Sequence, residues 1–116
     1  MVAIVWQLDA REGVAGEVET FYGADGEWTK FSRRSRSFLG SSFLKDIAID
    51  TRYLLVEYWS EMVVYERHLK NHTLEARTLA ARREKLINRI EPLGVFTALD
   101  VPDRVGPTWS RRSGTT

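Results

Sequence analysis

The chain has 116 residues, 17 Lys and Arg against 16 Asp and Glu for a net charge of +1, and no cysteine. That length fits one domain with a real core, and the near-neutral charge excludes the strong field with which a protein attracts nucleic acid or an acidic membrane. Without thiols there is neither a disulfide framework nor a thiolate zinc site.

The start of the chain has no basic segment, no small-residue cleavage pattern and no apolar run near the roughly 18 residues of a membrane span, so a soluble cytoplasmic protein is expected. Residues 2–10 alternate as a strand. Val2, Ile4, Trp6 and Leu8 share an apolar face, while the opposite face turns polar at Gln7. Helical spacing follows through Val18, Phe21, Tyr22, Trp28 and Phe31. Gly23 and Gly26 interrupt it, and two glycines would cost a helix interior about 2 kcal/mol. Two helical pieces joined at a bend are predicted, with Asp25 as the N-cap of the second. Arg33, Arg34 and Arg36 close that helix, where its dipole favours cations.

Residues 40–46 and 53–59 read as two short strands joined by a turn at residues 49–52, with Asp50 and Thr51 as its turn formers. In the second strand Tyr53, Leu55, Glu57 and Trp59 share one face, and Leu54, Val56 and Tyr58 the other. Ser60 then opens a helix whose stripe is Val64, Tyr65, His68, Leu69 and His72, which turns both histidines inward. Thr73 caps a further helix with Ala76, Leu79, Ala80, Leu86, Ile87 and Ile90 on its apolar face and Arg83 inside the same stripe. Bases outnumber acids from residue 67 to residue 90, so a basic, solvated helix face is expected there. Pro92 and Gly94 stop this helix, and residues 93–99 form the last strand. Residues 101–116 read as a flexible tail carrying Trp109, Arg111 and Arg112, which leaves residues 1–100 as the domain.

The order is β-α-β-β-α-β, an α+β ferredoxin-like arrangement in which two β-α-β halves share one sheet. A four-stranded sheet with helices on one side leaves its other face to a twin, so a homodimer is expected.

The phrases YGADGEW (residues 22–28), FLGSSFLKD (38–46), RYLLVEYWS (52–60) with Tyr65 after it, and LGVF (93–96) resemble uncharacterised bacterial members of the antibiotic biosynthesis monooxygenase superfamily. The resemblance runs from Val2 to about Leu99. It implies a dimeric α+β barrel, with a pocket between the sheet and helices of each subunit. It does not name an activity, because that barrel hosts cofactor-free quinone-forming oxygenases, haem-degrading enzymes, isomerases and proteins without known activity. Trp59 and Tyr65 look like the aromatic positions that line the pocket of the quinone-forming members. The pocket asparagine of those members has no counterpart in residues 53–59. The haem-degrading pattern fits less well: residues 2–10 hold no asparagine, and His68 stands about where a helical tryptophan belongs. No cofactor is expected.

Several residues carry two readings. His68 and His72 are either amphipathic core residues whose ring nitrogens find a local partner, or ligand-contacting acids and bases. With Glu75 they span a metal ligand's spacing, but HLKNH lacks the glutamate that gives zinc proteases their base, and no metal is expected. Glu57 either pairs with an arginine or faces a wet barrel interior; buried without a cation, its raised pKa would suit a general base. Gln7 either lines the barrel or donates to a bound carbonyl. His68 and Glu57 are therefore the catalytic candidates, and Trp59, Tyr65, Tyr22, Trp28, Gln7 and His72 the substrate-binding candidates. The expected function is a cofactor-independent oxygenase or related enzyme acting on a small planar aromatic or polyketide-like molecule. The alternative is a non-catalytic homodimer that binds a small ligand in the same cavity.

Overall fold

The structure, a computed structural model, describes residues 1–100. The tail expected over residues 101–116 lies outside the described residues, as do Trp109, Arg111 and Arg112. The elements run β1 (Val2–Ala10), α1 (Ala15–Tyr22), α2 (Glu27–Arg33), β2 (Phe38–Lys45), β3 (Arg52–Trp59), α3 (Met62–Asn71), α4 (Thr73–Glu84) and β4 (Ile87–Thr97). All strand pairs are antiparallel in the order β2-β3-β1-β4. This is the ferredoxin-like α+β arrangement that the residue pattern predicts. Among the described residues no helix is long and apolar enough to cross a membrane.

Register decides which side chains meet. Ile4 lies opposite Glu57, Trp6 opposite Leu55 and Leu8 opposite Tyr53. Directly opposed residues point to the same side of a sheet, so these six, with Trp59, form the helix-covered face. Ile4, Leu8, Tyr53, Leu55, Glu57 and Trp59 are all buried. Val18, Phe21 and Tyr22 of α1, Trp28 and Phe31 of α2 and Leu79 of α4 close over them. The other face carries Ala3, Val5 and Gln7 opposite Tyr58, Val56 and Leu54. There Leu44 and Phe96 stay exposed.

The bend between α1 and α2 requires Gly26, because a Cβ there would stand 2.2 Å from the carbonyl oxygens of Thr20 and Phe21. Three expected caps are replaced. Gly26, not Asp25, precedes α2, and no side chain caps it. Glu61, not Ser60, precedes α3, again without a side-chain bond. The Thr73 hydroxyl donates backward to the Lys70 carbonyl at 2.8 Å, so it closes α3 rather than opening α4. The hairpin turn falls where expected, with the Arg52 amide bonded to the Ile49 carbonyl at 3.1 Å. It is further braced by Asp46, whose carboxylate accepts the amides of Ala48 and Ile49 at 2.7 and 3.0 Å.

The main difference from the residue pattern is at the end of α4. Leu86, Ile87 and Ile90 do not continue the helix: β4 begins at Ile87 and passes through Pro92 and Gly94 instead of starting after them. The pairing shows the reason. Register shifts leave Asn88 and Leu93 without opposite partners on β1. An extra residue in a bulge breaks period-two alternation, so Ile87 and Ile90 sit three apart on one strand and imitate helical spacing. Pro92 is tolerated because β4 is an edge strand, and Gly94 takes φ +148° beside the second bulge.

Candidate functional site

A cavity of about 220 Å³ lies between the covered sheet face and the helices. Trp6 and Leu55 form its floor, Tyr22 and Trp28 stand at the end nearest the α1–α2 bend, and Tyr65 and Arg83 approach from α3 and α4. Its volume has a simple origin in the sequence. Ala76 and Ala80, four apart and so on one side of α4, present methyl groups where larger side chains would fill the space.

Three polar groups line this apolar space: Tyr22, Tyr65 and Arg83. The Tyr22 hydroxyl is buried and makes no hydrogen bond of ordinary geometry; the Arg83 guanidinium beside it can only donate to its oxygen, which leaves the O–H without an acceptor. An orphaned buried hydroxyl costs about 1–3 kcal/mol, a cost that a bound acceptor would remove. Burial pushes the Tyr22 pKa well above its ordinary value, the charge and hydrogen bonding of Arg83 work against that rise, and Glu57 adds to it. Tyr65 is raised in the same way, first by burial and then by Glu57, against Arg83. Both phenols are therefore neutral donors at physiological pH. The Arg83 guanidinium lies 5.9 Å from the Trp28 ring centre, within cation–π range.

Glu57 is 1% exposed. It pairs with no arginine: one carboxyl oxygen accepts the Trp28 indole N–H at 2.8 Å, and the other accepts that of Trp59 at 3.1 Å. Burial raises its pKa, and the side chains of Trp59, Trp28 and Ser32 oppose the rise. His68 lies on the same side of the sheet. Its Nε2 is 2.8 Å from the Phe31 carbonyl, so that nitrogen carries the proton. Its ring is 4.6 Å from Phe31 and 5.8 Å from Trp59. Burial lowers the His68 pKa; the Phe31 carbonyl opposes that, while His72 and Arg34 add to it.

The residues singled out from the sequence thus separate into three groups. Tyr22, Trp28 and Tyr65 meet at the cavity. Glu57, Trp59 and His68 do share the helix-covered side of the sheet, but they cluster in the core beside the cavity and are not among its lining residues. Gln7 and His72 stand elsewhere. Gln7 is on the open sheet face, opposite Leu54. His72 is half-buried, with Nδ1 3.4 Å from the Arg34 guanidinium, which also pairs with Glu75. A cation thus occupies the space between the groups considered as metal ligands. Among the described residues no group of three or more His, Asp or Glu is arranged to hold a metal ion. Arg83 is the lining residue that the sequence reading left without a role, and its signal was present: a cation inside the apolar stripe of α4. Its neighbours Arg82 and Arg77 follow the solvated reading, with Arg82 paired to Glu27.

A wider cleft of about 860 Å³ opens on the other side of Tyr22, between the bend and β2. Two of its charged groups, Lys45 and Glu19, are paired with each other at 3.1 Å, and Tyr53 donates to Glu19 at 2.8 Å. The cavity at Arg83 is the better candidate, because it combines apolar walls with an unpartnered donor.

A sheet of this order with a pocket beneath its helices defines a class. The chain has the fold of the antibiotic biosynthesis monooxygenase superfamily, as comparison with solved structures shows. PA3566 from Pseudomonas aeruginosa superposes with a TM-score of 0.66 at 18% identity, over 85% of this chain and 94% of that one. A mutant of SnoaB, a cofactor-independent oxygenase from Streptomyces nogalater, gives 0.66 at 22% identity over 86% and 94%. A Deinococcus radiodurans protein provisionally named an antibiotic biosynthesis monooxygenase gives 0.63 at 16% identity over 91% and 100%. No protein-family profile matches the sequence, and no curated protein does.

Proposed function

We propose that the protein is a cofactor-independent monooxygenase-like enzyme acting on a small planar aromatic molecule held between Trp6, Trp28 and Tyr65. The observation that carries this reading is the Tyr22 O–H left without an acceptor beside Arg83 in an otherwise apolar cavity. An apolar cavity of about 150 Å³ already holds benzene, so about 220 Å³ accommodates one or two fused rings. Arg83 and the two phenol hydroxyls would hold a phenolate or carbonyl oxygen and favour its charged form, while the aromatic walls orient the rings. The substrate itself would supply the electrons: the ring carbon para to a phenolate exchanges its hydrogen for an oxygen and the ring becomes a quinone, one atom of O₂ entering as the new carbonyl and the other leaving as water with the two hydrogens lost. SnoaB, described as a cofactor-independent oxygenase, lends this reading its reaction class. Mass spectrometry of co-purified ligand, followed by oxygen uptake with mono- and dihydroxynaphthalenes, tests it; no uptake with any of them would remove it.

One observation favours a second reading. The cavity is lined by no carboxylate or imidazole, since Glu57 and His68 stand outside it. A protein that binds such a ligand without transforming it fits that lining, and saturable binding without oxygen uptake would select it. In either case the protein is proposed to act as a homodimer, in which a second copy covers the open face bearing Val5, Leu54, Val56 and Phe96.

A further inference from the structure

We propose that Glu57 is a positioning residue for the cavity: by taking one indole N–H on each carboxyl oxygen, it fixes Trp28 and Trp59 in the orientations that shape the ligand's surroundings. This rests on the reading that the cavity is a ligand site. Glu57 does not line the cavity itself, but one of its partners, Trp28, does, and the other, Trp59, leads to a residue that does. Trp28 is a cavity wall, and its ring carries Arg83 at 5.9 Å. The Trp59 ring meets Tyr65 edge-on at 5.2 Å, and Tyr65 in turn faces Trp6 at 6.1 Å. One buried acid therefore anchors both sides of the aromatic enclosure.

Chemistry explains why an acid is needed. Each indole offers a single N–H donor and no acceptor, so two converging indoles need a residue that accepts at two points and donates at neither. The two oxygens of the Glu57 carboxyl group take one indole each; a glutamine accepts at one end and turns a competing NH₂ toward the other indole. Glutamine is also the same size, so the substitution tests hydrogen bonding without opening a hole.

The test uses the full chain. The indole N–H resonances of the four tryptophans are recorded by ¹H–¹⁵N NMR, with Trp28 and Trp59 assigned from Trp→Phe variants, and 2-naphthol is titrated as a planar phenolic probe. In Glu57→Gln at least one of the two indole signals should move upfield, and 2-naphthol affinity should fall about tenfold. In a Trp28→Phe background, adding Glu57→Gln should cost at most twofold more, because the pinned residue that itself lines the cavity is already gone and only the indirect hold through Trp59 remains. Unmoved indole signals, or unchanged affinity in Glu57→Gln while the wild type binds, would overturn the positioning role. Strictly additive losses in the double variant would do the same. Should Glu57→Gln fail to fold, Glu57→Asp, which keeps the carboxyl but shortens its reach, decides: indole signals moved upfield with a loss of about tenfold in 2-naphthol affinity support the role, and unmoved signals or unchanged affinity overturn it. A wild type that does not bind 2-naphthol while the indole signals still shift in Glu57→Gln would overturn the ligand-site reading instead, a failure distinct from loss of the pins.

Discussion

The two faces of β3 differ by one residue in register and by everything in environment. Tyr53, Leu55, Glu57 and Trp59 are sealed under helices, whereas Leu54, Val56 and Tyr58 alternate with them on a face that, among the described residues, stays half-exposed. On the covered face even the acid is dry, and each of its oxygens accepts an indole N–H. On the open face apolar side chains remain half-exposed, with Leu44 and Phe96 beside them. A covered face can hold polar chemistry because it can complete every hydrogen bond internally; an open apolar face is completed only by another molecule.

The largest effect that would sharpen this contrast is expected from the sealed side. Trp59→Ala removes a fully buried ring that touches Phe38, Tyr65 and His68, and leaves Glu57 one donor short. Urea unfolding should show a loss of about 3–5 kcal/mol. A loss below about 1 kcal/mol would mean that the covered face is less tightly packed than its geometry shows.

On the open side, Val56→Asp should leave the subunit folded but weaken self-association by about a hundredfold, read by sedentation-equilibrium or light scattering across micromolar concentrations. A wild type that is monomeric throughout that range would break the comparison outright. Between the two faces in size is the cavity. Ala80→Leu should fill it, lowering 2-naphthol affinity about tenfold with the melting temperature unchanged or slightly higher. A lower melting temperature with unchanged affinity would place the probe elsewhere.

The smallest effect concerns pH. Glu57 has its pKa raised by burial, so between the ordinary carboxylate range and its raised value the folded state holds more protons than the unfolded state. Its contribution to stability therefore falls as pH climbs through that window. His68 is lowered by burial, so its contribution is lost as pH falls through the ordinary imidazole range. Denaturant melts against pH should show the first slope vanish in Glu57→Gln and the second in His68→Phe. An unchanged profile in Glu57→Gln would mean that the carboxyl is not dry.

Much of this was legible in the residues. Alternation in residues 53–59 placed Glu57 on one strand face with Tyr53, Leu55 and Trp59, and the histidine spacing turned His68 inward, but neither period told whether the two share a side of the sheet. Distance could not be read either. A period tells which face a side chain takes but not what stands between it and a space, so Glu57 and His68 were expected at a cavity that Trp28 and Tyr65 line instead. Arg83 was visible as a cation in an apolar stripe, yet its contact with Trp28 joins α4 to α2, and no local pattern encodes that. The error at Leu86, Ile87 and Ile90 was of a different kind: bulges on β4 gave strand residues a helical period.

Those same irregularities bear on how the sheet behaves among its own copies. A regular outer strand offers a free row of N–H and C=O groups on which further strands can build. Here β4 interrupts that row with Pro92, which has no N–H to give, with two bulges, and with Gly94 lying under the Phe96 ring. At the opposite border, β2 has its own irregularity between Phe38 and Gly40 and ends on Lys45. Both borders thus discourage open-ended, fibre-forming growth, and stacking through the broad apolar side remains as a route by which copies can meet and stop at two.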